Sequence, residues 1–316
     1  TPVIASGITS PVQLSDAWNH NCARFSDGSL KCWGNNSNGQ LGDDSTTDRS
    51  TAVSVSGSDS YVDIAGGNSH TCGVLADGGV KCWGDNNYGA IGDNSTTDRS
   101  TPVAVNGLSG VQKIAAGENH NCALLSGGSV KCWGKNDVGQ LGDGTSVLNN
   151  VTVSGISNAS SVKVGYNTAC VLLQDNTVKC WGDKNYVGID TSSHQLSPVT
   201  IDNLTSVVQL DKGLYHSCAR LSGGSIKCWG ANWHGSLGDG TTTTRKTPVA
   251  VSGISNALFL GTGRENSCSV LTDGTVKCWG LNNNGQLGDG TTASRNSPVS
   301  VSGITGATQV DGGNYS

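Results

Sequence analysis

Six pairs of cysteines constrain this chain more than any other feature of its sequence. The two residues of each pair are separated by 10 positions, and the first residues of consecutive pairs follow at intervals of 48 or 50 residues. Repeats of this length are typical of propellers and solenoids, whose units are buried only against their neighbours. The pairs are Cys22 with Cys32, Cys72 with Cys82, Cys122 with Cys132, Cys170 with Cys180, Cys218 with Cys228, and Cys268 with Cys278.

One copy contains four short β-type segments and no helical pattern. From Thr101 onward these segments are PVAV, VQKIAAG, HNCALL and SVKCWG, with turn residues between them. Four-stranded units of this size pack radially into a β-propeller. We therefore expect an all-β chain that forms a single β-propeller domain over 1–316. Its repeats lie approximately at 1–50, 51–100, 101–149, 150–196, 197–246 and 247–296, with a partial copy at 297–316.

The cysteine spacing also predicts the geometry of a hairpin. If Cys22 lies opposite Cys32, then 26–28 form a three-residue loop whose last residue is left-handed, which suits Gly and Asn. The six copies have SDG, ADG, SGG, QDN, SGG and TDG in this loop. Directly opposed residues of antiparallel strands are within disulfide range. We therefore predict six disulfides within the copies, and an oxidising compartment, either secreted or at the cell surface.

Metal binding is the alternative interpretation of these cysteines, because His20 precedes Cys22 on the same predicted strand. Structural zinc favours more closely spaced cysteine ligands. The histidine is also replaced by Thr168 in the fourth copy and by Asn266 in the sixth, whereas the cysteine pairs remain. We predict no metal and no other cofactor.

The sequence contains no recognisable catalytic motif. The GQLGDG segments lack the Gly-Lys-Ser/Thr sequence of a phosphate-binding loop, and no histidine has the context of a nucleophile–base pair. We therefore predict that the protein is not an enzyme.

Composition excludes two classes of partner. The formal net charge is −5, with 19 basic and 24 acidic residues, and no basic segment favours nucleic acid. No apolar run approaches the ~18 residues of a membrane helix, so we expect no membrane insertion. The absence of Met, even at position 1, favours a piece of a longer protein.

The string VKCWGxNxxGQLGDGTTxxRxxPVxV resembles the regulator-of-chromosome-condensation repeat, and the resemblance covers essentially the whole chain. Members of that family form β-propellers, usually with seven blades. We interpret the tryptophan that occupies the same position in every copy as packing between blades. These residues are Trp33, Trp83, Trp133, Trp181, Trp229 and Trp279.

The resemblance also implies how the ring would close. The family combines an N-terminal strand with strands of the C-terminal repeat, so residues 1–5 and 307–313 suit the outer and inner strands of a seventh blade without its hairpin. We therefore predict seven blades with an incomplete seventh, and six blades as the alternative. Unpaired strand edges recruit other strands, so we expect the hairpin beyond Ser316 or an assembly through this blade.

A second repeated pairing places an aspartate six residues before an arginine in four of the copies. These pairs are Asp43 with Arg49, Asp93 with Arg99, Asp239 with Arg245, and Asp289 with Arg295. We interpret them as bidentate braces of the long loop after the tryptophan strand. An anion or partner site is the alternative.

The positions that differ between copies are the candidate binding residues. Two residues before the repeated histidine, between the first and second strands, the side chain changes completely from copy to copy. The connection after the third strand carries exposed aromatic residues, and we expect both loops on one face. The predicted face comprises Trp18, Glu118, Tyr166, Leu214, Arg264, Tyr88, Tyr186, Trp233 and His234.

We therefore expect an extracellular, non-enzymatic binding module that recognises a protein or a glycan through one loop face. A structural module of an extracellular fibre or large surface protein is the alternative. Inhibition of a secreted enzyme is a second alternative, implied by secreted bacterial relatives that cover the active site of β-lactamases. The nuclear relatives exchange nucleotide on a small GTPase and bind chromatin, which the disulfides and the acidity argue against here.

The disulfide prediction can be tested on the protein itself. Peptide mapping without reduction should recover six links, each joining two cysteines 10 positions apart. Free thiols, or links between different copies, would contradict the predicted hairpin.

Overall fold

Short strands are the only regular secondary structure of the residues that the structure describes, 8–146 and 150–312. In this computed structural model the strands form six sheets, each with four antiparallel strands in chain order. This all-β arrangement is consistent with six blades of a β-propeller, the alternative that the sequence left open.

The strands have similar lengths from copy to copy, except that β1 has four residues and β12 two where their equivalents have six. The first strands are β1 (Gln13–Asp16), β5 (Tyr61–Gly66), β9 (Val111–Ala116), β13 (Ala159–Val164), β17 (Val207–Lys212) and β21 (Ala257–Thr262). The second strands are β2 (His20–Arg24), β6 (His70–Leu75), β10 (His120–Leu125), β14 (Thr168–Leu173), β18 (His216–Leu221) and β22 (Asn266–Leu271).

The third strands carry the KCWG sequence, and the fourth strands follow the long loop. The third strands are β3 (Leu30–Gly34), β7 (Val80–Gly84), β11 (Val130–Gly134), β15 (Val178–Gly182), β19 (Ile226–Gly230) and β23 (Val276–Gly280). The fourth strands are β4 (Arg49–Ser54), β8 (Arg99–Ala104), β12 (Val151–Thr152), β16 (Gln195–Thr200), β20 (Arg245–Ala250) and β24 (Arg295–Ser300). The repeat boundaries drawn from the sequence fall in or beside these fourth strands, so each sheet is offset from its sequence repeat.

The chain divides into two compact units, Thr1–Val164 and Gly165–Ser316. The first unit contains β1 to β13, and the second contains β14 to β24. The expectation that 1–316 forms one domain stays a prediction.

The hairpin predicted from the cysteines is confirmed in all six copies. Cys22 lies opposite Cys32 in the β2–β3 register, and the equivalent cysteines are opposed in the other sheets. The third loop residue is left-handed each time, with φ of 83° at Gly28 and 65° at Asn176. The small turn therefore sets the register that brings the sulfurs together.

The six predicted disulfides are confirmed as well. Each joins two cysteines of one copy, and no cysteine of the described residues is free. The Cα–Cα distances are 4.0 to 4.1 Å, as expected for directly opposed residues of an antiparallel pair. The bonded pairs are Cys22 with Cys32, Cys72 with Cys82, Cys122 with Cys132, Cys170 with Cys180, Cys218 with Cys228, and Cys268 with Cys278.

The predicted seventh blade is not supported. Residues 307–312 form no strand, and residues 1–5 and 313 lie outside the described residues. The segment does pack on the sixth sheet, because the amide of Ala307 donates to the carbonyl of Gly274 at 3.0 Å. The equivalent bond at the start of β21 joins the amide of Ala257 to the carbonyl of Gly224 at 2.9 Å. The sequence pattern of a first strand is thus present at 307–312, but no second strand pairs with it among the described residues.

Consecutive copies are joined by the repeated tryptophan. Trp83 is fully buried in a cluster with Cys22, Cys32 and Leu41 of the preceding copy. Its indole Nε1 donates to the carbonyl of Gln40 at 3.0 Å. Gly42 permits this approach, because a Cβ atom there would lie 2.7 Å from Trp83 Nε1. The interpretation of the tryptophan as packing between copies is confirmed for this pair.

The same bond occurs at two other junctions within the units. Trp133 donates to the carbonyl of Ala90 at 2.9 Å, and Trp279 donates to that of Ser236 at 2.9 Å. Both indoles are buried with the cysteines of the preceding copy. Trp33, in the first copy, is only partly buried.

The repeated histidine completes this junction from the preceding copy. The Thr71 hydroxyl donates its proton to the Gln40 carbonyl at 2.8 Å. Because that proton is already used, Thr71 Oγ1 is the acceptor and His20 Nε2 the donor in their bond, which is also 2.8 Å long. His70 bonds Asn121 Oδ1 at 2.9 Å, and His216 bonds Ser267 Oγ at 2.8 Å. These histidines are therefore parts of the framework, each linking its copy to the next.

The four predicted aspartate–arginine pairs are confirmed, but they are not bidentate, because the arginine nitrogens contact a single carboxylate oxygen, Oδ2. The four ion pairs have N–O distances of 2.6 to 3.0 Å. At Asp289, the Thr291 hydroxyl and Arg295 Nε both donate to the carboxylate, each at 2.8 Å. The Asn282 amide also donates to Asp289, and its oxygen accepts from the Leu287 amide. The pair thus holds the long loop as an internal brace.

Burial of the framework histidines predicts sensitivity to acid. Burial lowers the pKa of His20 to about 3, of His70 to about 4 and of His216 to about 3. Between about pH 6.5 and 4 the unfolded chain therefore binds more protons than the folded chain, and acid favours unfolding. The free energy of unfolding should fall by up to about 1.4 kcal/mol per pH unit for each histidine. Denaturant unfolding at about pH 7, 6 and 5 measures this slope.

The chain itself offers a control for this experiment, because Asn266 occupies the histidine position of the sixth copy. His216→Asn should reduce the slope by about one third of the effect expected from the three histidines. An unchanged slope in this variant would show that His216 does not contribute.

Candidate functional site

The predicted face depends on two loops per copy, and the first of these loops are neighbours within each unit. In the first unit, the amide of Trp18 donates to the carbonyl of Gly67 at 3.4 Å, and that of Asn68 to Glu118 at 3.3 Å. In the second unit, the amide of Tyr166 donates to Leu214 at 2.8 Å. These bonds between copies place successive loops side by side at one end of the sheets.

The second unit brings four aromatic side chains together on these loops. The Tyr215 ring contacts Tyr166, Tyr186 and Trp233, with centroid distances of 4.9, 5.7 and 5.3 Å. The planes are tilted by 45 to 59°, as is usual for packed aromatic pairs. Tyr186 and Trp233 come from loops that follow third strands, so the two kinds of loop converge here as predicted. We call these four residues the aromatic surface.

The rings of the aromatic surface are not equally buried. Trp233 is 52% exposed, whereas the three tyrosines are partly buried. Partial burial and the negative charge of Asp183 raise the pKa of the Tyr186 hydroxyl. The surface thus presents a half-exposed indole beside three partly buried tyrosines, of which Tyr186 keeps its proton at neutral pH.

Polar and ionisable side chains border the aromatic surface next to Trp233. His234 Nδ1 lies 2.6 Å from Glu265 Oε2, and Arg264 Nε lies 3.5 Å from the other oxygen of that carboxylate. The His234 side chain is 41% exposed, but Glu265 is largely buried. Glu265 therefore orients the imidazole at the edge of the rings.

Five of the nine predicted face residues thus form one continuous site in the second unit, together with two residues that were not predicted. Leu214 lies on the same loop but is buried, with 7% exposure, so its backbone rather than its side chain contributes. The five are Tyr166, Tyr186, Trp233, His234 and Arg264. The assignment of these residues to a binding face stays a prediction.

The other three predicted residues lie in the first unit. Trp18 and Glu118 are partly buried on loops between first and second strands. Tyr88 is 42% exposed, and Lys135 Nζ lies 5.4 Å from the centre of its ring.

Sequence reasoning missed Tyr215 and Glu265, which hold the site together. Both precede the repeated histidine position by one residue, where the other described copies have Asn or Ser. The predicted binding face was based on the preceding residues instead, which are Leu214 and Arg264 in these two copies. A comparison of both positions would have found them, because Tyr215 is the one aromatic residue at that position in the described copies.

A cluster of potential metal ligands and a membrane-spanning helix are both absent from the described part of the chain. No group of three or more His, Cys, Asp or Glu residues is arranged to hold a metal ion there. The described residues also include no helix of the length and apolarity needed to cross a membrane.

Comparison with known proteins gives a clear result for the family. The family model described as the RCC1-like domain matches residues 2–316. No curated protein matches the chain in sequence.

Solved structures agree with the family match at the level of the fold. Human WBSCR16 is 18% identical, with 95% of this chain and 84% of that chain covered and a TM-score of 0.84. Yeast RCC1 (Prp20), solved with Kap60 bound, is 19% identical over 92% of this chain and 74% of that chain, with a TM-score of 0.80. The ectodomain of the Arabidopsis thaliana receptor kinase ACR4 is 20% identical over 93% and 83%, with a TM-score of 0.57.

The contrast between framework and surface tryptophans can be tested directly. Trp279→Ala should lower the free energy of unfolding by about 3–5 kcal/mol, because it leaves a cavity between copies and removes the donor to Ser236. Trp233→Ala should lower it by less than about 1 kcal/mol, because that ring is half exposed. Denaturant unfolding of the two variants measures the difference. Equal losses would mean that Trp233 is structural.

Proposed function

The chain belongs to the RCC1-like domain family, and from that premise we propose that it is a non-enzymatic module that binds a protein through the aromatic surface. The observation that carries this proposal is the contact of three variable loop residues with Tyr215, one of which, Trp233, is 52% exposed. Tyr, Trp and Arg are the residues most enriched at binding hot spots.

The framework around the surface supports recognition rather than chemistry. All cysteines of the described residues are in disulfides, and His216 is committed to a bond between copies. The pair of His234 and Glu265 provides polar contacts at the margin of the rings, where a protein interface has its hydrogen bonds. Yeast RCC1 (Prp20), of similar fold, was solved with a protein, Kap60, bound. That resemblance favours a protein partner over a glycan.

The proposed compartment is extracellular, either secreted or at the cell surface. Six disulfides per 316 residues are unusual for a protein kept in a reducing compartment. The buried bridges hold hairpins whose sheets otherwise have small apolar cores.

The proposal can be tested with a double alanine variant of the aromatic surface and a single alanine variant as its control. Immobilised chain is exposed to extracellular proteins of its source and, separately, to a glycan array. We expect a protein to bind, and the combined substitutions Tyr166→Ala and Trp233→Ala to weaken it by roughly 30-fold or more, as for two hot-spot residues. Tyr88→Ala, which removes an exposed aromatic residue of the first unit, should leave the affinity unchanged.

The other outcomes distinguish the alternatives. Binding to sugars alone that depends on Trp233 would make the module a lectin-like domain. Protein binding that neither variant weakens would place the interface elsewhere. The absence of both kinds of binding, with the fold intact, would favour a structural module.

A further inference from the structure

The loop that carries Tyr186 departs from the equivalent loops of the other copies. From Trp181 to Gly188 there are seven positions (188 − 181), whereas nine separate Trp229 from Gly238 (238 − 229). The glycine conformation differs as well, with φ of 104° at Gly188 against 63–75° at its five equivalents. This loop therefore cannot follow the common path.

The shorter loop leaves the next tryptophan without its usual acceptor. Trp229 still packs on Gly188, where a Cβ atom would lie 2.8 Å from its Nε1. Trp229 is fully buried, yet that nitrogen has no hydrogen-bond partner among the described residues. Buried N–H groups are almost always paired, because an unpaired one loses its bonds to water without compensation.

The carbonyl that occupies the acceptor position in the sequence is that of Tyr186. It precedes Gly188 by two residues, as Ser236 precedes Gly238, and Ser236 accepts from Trp279 at 2.9 Å. Its ring meanwhile packs on Tyr215 at 5.7 Å. One residue therefore links the aromatic surface to the unpaired indole.

The usual anchors of the loop are also weakened. In the sixth copy, Asn282 donates to four loop acceptors and Asp289 pairs with an arginine. In the fourth copy, Lys184 takes the asparagine position, and its amide donates to His194 at 3.3 Å. Asp190 instead pairs with Lys246, and the Asp190 side chain is 82% exposed.

The strand behind the loop is held by a different group. The fourth copy has Thr168 in place of the histidine. Ser217, in the fifth copy, instead accepts a hydrogen bond at its Oγ from Nζ of Lys212 in the same copy, at 2.8 Å. In the next junction His216 bonds Ser267, which donates to the Ser236 carbonyl of the loop. Lys212 thus stabilises the strand without help from the loop.

We propose that the loop of residues 183–190 is the adaptable, specificity-determining part of the aromatic surface. It exchanges between the position seen here, with the Tyr186 ring on Tyr215, and one in which the Tyr186 carbonyl accepts from Trp229. A partner that contacts the ring selects between the two, because ring and carbonyl move together. The effect on partner choice rests on the proposed function, whereas the exchange of the loop does not.

Hydrogen exchange of the free protein tests the loop by itself. Backbone amides of 183–190 should exchange roughly tenfold faster than those of 231–240, the equivalent loop of the fifth copy. The indole N–H of Trp229 should likewise exchange roughly tenfold faster than that of Trp279. Equal rates at both places would overturn the proposal, including the case in which a fixed water pairs with Trp229.

A loop replacement provides the second test. Residues 183–190 are replaced by 35–44 of the first copy, which restores the common length. The Trp229 indole should then exchange as slowly as that of Trp279, whose unchanged signal reports an intact fold. Persistent fast exchange of Trp229 in the folded replacement would overturn the proposal.

The binding assay separates the two proposals. If the loop exchanges as expected and Trp233→Ala still binds normally, the proposed function fails while the loop proposal stands. If Trp233→Ala loses the partner but the loop replacement binds it as tightly as the natural chain, the loop does not determine specificity.

Discussion

The hydrogen bond from a buried indole N–H to a backbone carbonyl of the preceding copy is the contact on which the rest of this structure depends. In the first junction the Gln40 carbonyl accepts from both Trp83 and Thr71, and His20 fixes the threonine. One oxygen thus holds two strands of the next copy. The bond requires a glycine beneath the indole, and it requires a hairpin whose register aims the ring at the preceding copy. The repeated Gly-Gln-Leu-Gly, His and Cys-Trp-Gly segments supply these conditions.

The local parts of this arrangement could be predicted from the sequence, and the non-local parts could not. The opposed cysteines and the turn glycine fix the β2–β3 register, because both act within 11 residues. The packing role of the tryptophan followed from its single repeated position. The number of blades depends on pairing between distant segments, which no local pattern reports, and the expected seventh sheet is absent from the described residues. In the site, Tyr215 was missed and Leu214 is buried, because loop side chains have no fixed period to show which ones face solvent.

The fourth copy shows what happens when the framework loses one of its parts. Thr168 cannot reach the next copy as an imidazole does, and Lys212 donates to Ser217 in its place. Burial lowers the pKa of Lys212 to about 7, so this substitution is less favourable when the amine is charged. An irregular copy therefore persists only with a compensating side chain. The compensation secures the strand but leaves the loop with fewer anchors than its equivalents.

The position of Tyr186 in the aromatic surface follows from this irregularity. Where the loop has its full set of bonds, as around Asn282, hydrogen bonds from the asparagine and the aspartate hold its backbone in place. Where the loop is short, those bonds are absent, and Tyr186 turns toward Tyr215 and the neighbouring Trp233. A repeat protein must keep its junctions alike in order to fold, so its recognition residues are confined to places where the junction tolerates change. The fourth copy meets that condition: Lys212 secures the strand next to its loop, its disulfide holds its hairpin, and its loop is left available for the proposed contact with a partner.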